Sequence, residues 1–260
     1  MKTRAILDFL VGLAPLYEAR HQKPLWSNKY PRHLIDSVEA ACMFLEGYAF
    51  ERQGKNPSYA PAAVDAVKTV RKRSNSPSPR AVQREFEKLL KGTGMNRNVN
   101  PLMHSTRNCK CFWCAFKGNN IVALVKSALQ ENEVEWAWKK VHKVRGVGPK
   151  ITALFLRDVA MYYNLAPEVD RHLLQPVDVW VRRTVHLIAQ TDQLTDEQVA
   201  LWLVDKCREP ERANAAIWYW GAQVMRSDFL LRRSVRNLSN SRRRLKTHLA
   251  NLKAASEALG

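Results

Sequence analysis

The chain has 260 residues, 46% of them hydrophobic, so it can bury one sizeable core or two closely apposed helical lobes. Lys and Arg number 42 against 24 Asp and Glu, which gives a formal net charge of +18 and a sequence pI near 10.0. This surplus disfavours an ordinary near-neutral enzyme and indicates a polyanionic partner such as nucleic acid. No stretch approaches the roughly 20 apolar residues that a membrane-spanning helix requires, so no membrane partner is expected.

Helical spacing of the apolar residues predicts an all-α chain. In the first half of the chain, helices are predicted from a cap at Asp36 to about Gln53, from Pro61 to the basic KTVRKR run, and from a start at Ser78 and Pro79. In the middle, they are predicted from about Asn120 to Gln130, from a cap at Asn132 to about Val144, and from Pro149 to about Tyr163. The last predicted helices begin at a capping box of Thr195 and Gln198, cover 211–225, and run through the basic stretch after Arg226. The N-terminal residues predict an amphipathic helix and not a signal peptide, because Asp8 interrupts the apolar run.

Five cysteines are present, and three of them lie in CKCFWC. An odd number of cysteines without a secretion signal predicts a reducing, intracellular location, cytoplasmic and nucleoid-associated. His104, Cys109, Cys111 and Cys114 have spacing that can converge on a structural zinc ion or iron–sulphur cluster. The fourth ligand is open at this stage, since Cys207 and Cys42 are alternatives to His104, and reduced structural thiols are the simpler interpretation.

Two helices over about 134–163 flank the turn Arg145-Gly146-Val147-Gly148. Glycine permits positive φ or close approach of another backbone, and the start of the next helix offers amide groups and a favourable dipole to an anion. These four residues are therefore candidate DNA contacts that hold phosphate without reading sequence. A plain helix–helix turn is the alternative.

Lys150 follows this turn in the first turn of the next helix. It lies to one side of the buried stripe that helical spacing predicts, which consists of Ile151, Leu154, Phe155, Val159 and Tyr162. The positive end of a helix favours the neutral amine, which is the nucleophile in Schiff-base chemistry. Asp178, in QPVDVW, stands where another helix begins, and Arg182 one turn later is a candidate DNA contact. Asp178 is expected to cap that helix, and a cap also holds a carboxylate at a fixed position.

GVGPK followed by PVD at the start of a helix resembles the helix-hairpin-helix (HhH-GPD) DNA glycosylase superfamily. In its bifunctional members a lysine follows the GVG hairpin and an aspartate lies in a downstream PVD motif. The likeness is strong over 134–190 and weaker over 36–225. YAFERQGKNPSYAP and AAIWYWGAQV are most similar to the archaeal-type 8-oxoguanine glycosylase branch. The long connection between Lys150 and Asp178 leaves Asp170 as an alternative acid, and the C-terminal four-cysteine iron–sulphur pattern of the endonuclease III branch is absent.

The resemblance implies an all-α helix-hairpin-helix DNA glycosylase fold of two closely packed helical lobes, with the active site in the cleft between them. Residues 1–235 would form the glycosylase domain, with a lobe boundary near the Ser/Pro segment 74–79, and 236–260 a basic helical tail. The tail region carries nine cations: Arg226, Arg232, Arg233, Arg236, Arg242, Arg243, Arg244, Lys246 and Lys253. A solvated helix face is the simpler interpretation, but the whole-chain charge favours phosphate contact.

The resemblance also implies a bifunctional DNA glycosylase/AP lyase of base excision repair, acting as a monomer on double-stranded DNA that contains a damaged base. The nucleotide would be flipped from the duplex, and Lys150 would attack C1′ and displace an oxidised base, 8-oxoguanine being favoured. Asp178 would accept the lysine proton or stabilise the cationic sugar. β-Elimination from the Schiff base would then nick the strand, and no cofactor is needed for this chemistry.

Trp218, Trp220 and Tyr59 are candidates for the surface on which the flipped base stacks, with core packing as the alternative for each. Asn119 and Asn120 resemble the asparagine-rich wedge that fills the vacated space, with a helix cap as the alternative. Three other functions stay open: a non-catalytic helix-hairpin-helix DNA-binding protein, a glycosylase for a different modified base, and an RNA-directed protein with a knuckle-like CKCFWC element.

Overall fold

The computed structural model describes residues 2–50, 59–74, 77–90, 100–105, 108–235 and 237–257. Within these ranges the chain is helical and no strand occurs, which confirms the all-α class. In chain order the α-helices are α1 (Lys2–Val11), α2 (Ala14–Tyr17), α3 (Ser37–Phe44), α4 (Tyr59–Arg73), α5 (Pro79–Leu89), α6 (Phe112–Phe116), α7 (Ile121–Gln130), α8 (Val134–His142), α9 (Pro149–Tyr162), α10 (Val179–Ala189), α11 (Asp196–Lys206), α12 (Pro210–Tyr219), α13 (Asp228–Ser234) and α14 (Leu238–Glu257). None of the described helices is both long enough and apolar enough to cross a membrane.

Wider π-type helical turns extend several of these helices. They cover Glu18–Gln22, Pro24–Lys29, Leu45–Phe50 and Trp220–Met225. A short 3₁₀ turn, Arg171–Leu174, follows α9.

The chain divides into two compact units. The central unit comprises residues 21–176, and the terminal unit comprises 1–20 with 177–260. These boundaries differ from the sequence-based boundary at 74–79, because α4 and α5, which flank that segment, pack closely against each other inside the central unit. Residues 75 and 76 lie outside the described residues.

The core of the central unit is built around aromatic rings on α3, α9 and the turn Pro24–Lys29. Trp26 is fully buried, lies stacked with Phe155 at 6.3 Å between centroids, and donates from Nε1 to Tyr48 Oη at 2.8 Å. Phe44 packs edge-on against Phe155 at 4.9 Å. Of the buried stripe predicted for α9, Leu154, Phe155 and Val159 are buried, whereas Ile151 and Tyr162 are only partly buried. Every residue from 152 to 161 is buried, so the prediction of one buried stripe is wrong: burial is not limited to one side of this helix.

The core of the terminal unit is centred on α12 and the turn that continues it. Ile217 and Trp220 are fully buried, and Trp220 meets Phe9 of α1 edge-on at 5.4 Å. α14 belongs to this unit, since Ser241 is buried and its Oγ donates to the Ser234 carbonyl at 2.7 Å. The basic tail is therefore packed on α13 and Trp220–Met225 along part of its length, while residue 236 and residues 258–260 lie outside the described residues.

Local capping follows the sequence at several helices. Asp36 accepts from Val38 N and Glu39 N, Ser78 accepts from Ala81 N, and Thr195 with Gln198 forms a complete capping box. The predicted end of the first of these helices, near Gln53, lies outside the described residues.

The Asn132 cap prediction is wrong. Asn132 takes a left-handed conformation with φ of 61°, and its side chain accepts from Glu168 N at 2.8 Å, while Glu133 precedes α8. A long-range contact therefore uses the side chain that local patterning assigned to a cap.

Candidate active site and nucleic-acid interface

The hairpin between α8 and α9 has the backbone form that its glycines predict. Gly146 has φ of +77°, a region that other residues adopt only with strain. Val147 is buried and anchors the turn, donating from its backbone N to the Val144 carbonyl at 3.0 Å. Gly148 caps α9 in an extended conformation, and a Cβ at this position would meet nothing within 4 Å. The protein's own packing therefore leaves the space beside the start of α9 open.

Lys150 is the second residue of α9, directly after Pro149. Lys150 is half-buried. The first turn of α9 is fixed by Thr152, whose backbone N and Oγ1 both donate to the Gly148 carbonyl, at 3.0 and 3.1 Å. The amine thus stands on a rigid helix, in the first turn, where the helix dipole places positive potential.

Asp178 caps α10, as predicted. Its Oδ1 accepts from Trp180 N at 2.9 Å and from Val181 N at 3.0 Å, which fixes the carboxylate at the start of the helix. Asp178 belongs to the terminal unit and Lys150 to the central unit, so each is positioned by its own set of helices. The alternative acid, Asp170, is exposed in the central unit and has φ of +52° before the 3₁₀ turn.

Arg182, a predicted DNA contact, forms a two-point ion pair within the terminal unit. Its Nε and Nη2 donate to Asp196 Oδ1 and Oδ2 at 2.6 and 2.7 Å. The hydrogen bond to Asp196 raises the pKa of the Arg182 guanidinium further. A phosphate would have to compete with the Asp196 carboxylate for the same two donors, Arg182 Nε and Nη2.

The three candidate stacking residues have different surroundings. Trp220 is a core residue with no exposed area. Trp218, two positions earlier, is partly buried and packs edge-on against Tyr17 at 5.8 Å between ring centroids. Tyr59 begins α4 and lies partly buried against the core of the central unit.

Asn120 is occupied by structural hydrogen bonds, whereas Asn119 is exposed. Asn120 Oδ1 accepts from Val122 N and Ala123 N at 2.9 and 3.0 Å, and its Nδ2 donates to the carbonyls of His33 and Leu34 at 2.9 and 3.0 Å. The cap interpretation of Asn120 is confirmed, and both polar atoms of the side chain are used inside the central unit.

The cysteine cluster brings four ligand-bearing side chains together. His104 Nδ1 and the Sγ atoms of Cys109, Cys111 and Cys114 all lie within 4.8 Å of one another, so this cluster could hold a metal ion. Cys109 and Cys114 are paired as a disulfide in the structure, and Cys111 is a free, buried thiol. Burial raises the pKa of Cys111, while hydrogen bonds from the backbone of Cys114 and Trp113 and the charge of Arg145 act in the opposite direction.

The two alternative fourth ligands are elsewhere. Cys42 is buried in the aromatic core of the central unit, where burial raises its thiol pKa to about 12. Cys207 belongs to the terminal unit, and burial raises its pKa to about 11. Both are therefore protonated packing residues, and His104 is the residue that completes the cluster.

A basic groove lies beside the cluster and was not predicted from the sequence. It has a volume of about 730 Å³ and is lined by Arg80, Gln83, Arg84, Met103, His104, Ser105 and Arg145. Arg80 and Arg84 are one helical turn apart on α5, a spacing that signals a shared face, but nothing local connects them with the hairpin. The groove gathers three arginines from two distant parts of the sequence, α5 and the hairpin, around one concave surface.

Comparison with known proteins identifies one curated relative. An uncharacterized protein of Methanocaldococcus jannaschii is 28% identical over 208 residues, which cover 70% of this chain and 48% of that protein. The chain thus spans about half the length of the relative it matches. No family model and no solved structure matches the chain significantly.

Proposed function

We propose that this protein is a bifunctional DNA glycosylase/AP lyase of base excision repair that excises an oxidised base through a Schiff base on Lys150. The observation that carries the proposal is the placement of Lys150, half-buried in the first turn of α9, directly behind a hairpin whose Gly148 leaves open space beside it. Backbone N–H groups at a helix start of this kind can donate to a phosphate oxygen. In this proposal the lysine on the same rigid turn lies beside the sugar of a neighbouring nucleotide.

In this proposal the Lys150 amine attacks C1′ of a flipped nucleotide, and the C1′–N bond breaks with the electron pair leaving on the base. Asp178, fixed by its cap hydrogen bonds, takes up the lysine proton or stabilises the positive charge on the sugar. The C1′–O4′ bond of the product then breaks as the nitrogen lone pair forms the C1′=N bond and O4′ takes up a proton, which gives the Schiff base. Loss of a proton from C2′ of the Schiff base then expels the 3′ phosphate, which is β-elimination. No metal or cofactor takes part in these steps.

The lesion is proposed to be 8-oxoguanine, on the resemblance of AAIWYWGAQV to the archaeal-type branch. Trp218 is the better candidate for the stacking surface, because it is partly exposed whereas Trp220 is enclosed in the core. A metal ion at the cysteine cluster would have a structural role in this proposal.

The deciding experiment is borohydride trapping on a duplex with a single 8-oxoguanine opposite cytosine, with undamaged and abasic duplexes in parallel. We expect a covalent adduct on the lesion duplex with the native protein and none with Lys150→Gln. The matched control is Lys143→Gln, which removes a cation at the end of α8 beside the same hairpin and keeps the proposed nucleophile. This control should retain the adduct at saturating protein concentration.

Each result has a defined meaning. Adduct on the abasic duplex alone would keep the lyase and overturn 8-oxoguanine as the substrate. Absence of adduct on every duplex, with DNA binding retained, would overturn the lysine mechanism in favour of a non-catalytic DNA-binding protein. Preference for single-stranded RNA over all duplexes would overturn the repair function as a whole.

A further inference from the structure

The four side chains of the cysteine cluster are gathered more tightly than a disulfide requires. Cys111 Sγ lies 3.3 Å from Cys109 Sγ, and His104 Nδ1 lies 3.3 Å from Cys109 Sγ and 3.6 Å from Cys114 Sγ. A Cys109–Cys114 disulfide uses only two of these atoms. It gives no reason for a third thiol and an imidazole nitrogen to point at the same place.

The size of the cluster distinguishes a single ion from an iron–sulphur cluster. Ligand atoms about 2.3 Å from one tetrahedral zinc ion stand about 3.8 Å apart. The four atoms here lie within 4.8 Å of one another, so they can surround one ion once the Cys109–Cys114 disulfide is reduced. The several-ångström body of a multi-iron cluster would hold its cysteine sulphurs farther apart.

From this geometry we propose that His104, Cys109, Cys111 and Cys114 bind one structural zinc ion that joins residues 100–105 and 108–116 to the hairpin between α8 and α9. A thiol reductant first reduces the Cys109–Cys114 disulfide to two thiols and is itself oxidised to a disulfide. The three cysteine thiols then lose their protons to solvent as zinc binds, so that all three ligands are thiolates. His104 binds through Nδ1 in its neutral form. All four positions are filled by protein, so the site is closed, as structural zinc sites are.

The surroundings of the cluster are arranged to support such an ion. The His104 backbone N donates to Gln83 Oε1 at 2.9 Å, which fixes the residue that carries the imidazole to α5. Phe112 N donates to the Pro101 carbonyl at 2.8 Å and ties residues 108–116 to residues 100–105.

One backbone hydrogen bond connects residues 108–116 directly to the hairpin. Arg145 N donates to the carbonyl of Lys110 at 2.7 Å, and Lys110 stands between two of the ligands, Cys109 and Cys111. An ion held by both flanking cysteines therefore fixes the carbonyl that receives the hairpin amide. His104 and Arg145 also line the basic groove together with Arg80 and Arg84.

The zinc ion is thus expected to fix one wall of a groove whose three arginines suit a phosphate backbone. This last step rests on the proposed function, because it takes DNA as the partner. The metal site itself does not depend on DNA as the partner, so the zinc site and the proposed function can be disproved separately.

The first test measures the metal content of the full chain, purified with a thiol reductant and without chelator. We expect about one zinc ion per chain and little iron, measured by inductively coupled plasma mass spectrometry. Cys111→Ser and His104→Ala should each lower the zinc content severalfold. The matched controls Cys42→Ala and Cys207→Ala remove cysteines outside the cluster and should keep it.

The second measurement follows the Arg145 amide by hydrogen exchange, before and after zinc removal by a chelator under reducing conditions. Loss of the constraint on Lys110 should speed exchange of this amide about tenfold, with the Thr152 amide of α9 as internal reference. Affinity for an undamaged duplex should fall in parallel and recover when zinc is added back.

Several outcomes would overturn the inference. Zinc below about one-tenth equivalent in the reduced native chain, or zinc retained after Cys111→Ser, would exclude the site. Iron in place of zinc would exclude the proposed metal. Unchanged exchange at Arg145 on zinc removal would exclude the link to the hairpin. If zinc and protection behave as expected but no duplex binds, the proposed function fails and the metal site stands.

Discussion

Arg157 and Asp158 are the most deeply buried charged neighbours in the central unit, with 1% and 3% of their surface exposed. The guanidinium donates to Asp158 Oδ1 at 2.8 and 3.0 Å, and Tyr48 Oη donates to Asp158 Oδ2 at 2.9 Å. The Asp158 carbonyl accepts from Gln22 Nε2 at 2.7 Å. This network anchors the middle of α9, the helix that carries Lys150, to the rest of the central unit.

Removal of the carboxylate charge from this network should destabilise the protein strongly. Asp158→Ala removes the carboxylate that accepts two hydrogen bonds from the buried Arg157 guanidinium, and we expect the free energy of unfolding to fall by about 3–5 kcal/mol. Urea denaturation followed by tryptophan fluorescence measures the change. The control is Asp170→Ala, an exposed aspartate of the same unit, with an expected effect within about 0.5 kcal/mol. A loss below about 1 kcal/mol for Asp158→Ala would contradict the assigned role of the pair.

At the scale of elements, α14 is attached to α12 by a contact that titrates. Tyr219 Oη and His248 Nε2 are 3.0 Å apart. Burial is the largest influence on both groups: it raises the pKa of Tyr219, so the hydroxyl remains a donor, and it lowers the pKa of His248. The charges of Arg226 and Arg20 lower the His248 pKa further, which leaves a neutral imidazole to accept the hydrogen bond.

The attachment of α14 should therefore weaken in mild acid. Because the His248 pKa is lower in the folded than in the unfolded chain, its contribution is present above the unfolded value of about 6.5 and is lost as the pH falls through that value toward the folded pKa. His248→Gln keeps an acceptor without a titration. Thermal unfolding of native protein and variant at pH 7.5 and pH 5.5 checks this, and the native protein should lose more stability than the variant between the two. Equal losses would contradict the assignment.

For the whole molecule, the formal charge of +18 should set the salt dependence of DNA binding. The logarithm of affinity is expected to fall linearly with the logarithm of salt concentration, with a slope of about −0.9 for each phosphate neutralised. Arg242 and Lys246 are exposed on α14. Within the described residues, neither side chain forms a hydrogen bond or an ion pair. They are the cations of the tail best placed to reach phosphate.

Replacing Arg242 and Lys246 together by glutamine should make the slope shallower by about 1.8 and weaken binding at low salt. Fluorescence anisotropy on an undamaged duplex between roughly 50 and 200 mM salt measures both quantities. The matched control changes Arg4 and Lys206 to glutamine, since these cations of the same unit already pair with Asp8 and Asp205. If both double variants shift the slope equally, the effect comes from net charge and not from contact by α14.

The sequence by itself determined features that depend on neighbours within a few residues. The caps at Asp36, Asn120 and Asp178 and the capping box of Thr195 and Gln198 follow from hydrogen bonds within one helical turn. The hairpin glycines and the position of Lys150 in the first turn of α9 are local for the same reason. The pairing of Lys150 with Asp178 on a nucleotide stays a prediction.

Only the tertiary structure decided which distant residues share a surface. It selected His104 over Cys42 and Cys207 for the cysteine cluster, and it placed the unit boundaries near residues 20 and 177 instead of in the Ser/Pro segment. It also separated Trp220, a core residue, from the partly exposed Trp218 and collected three arginines into one groove. Such groupings arise from the packing of helices far apart in the chain, and composition and periodicity describe each helix without specifying its neighbours.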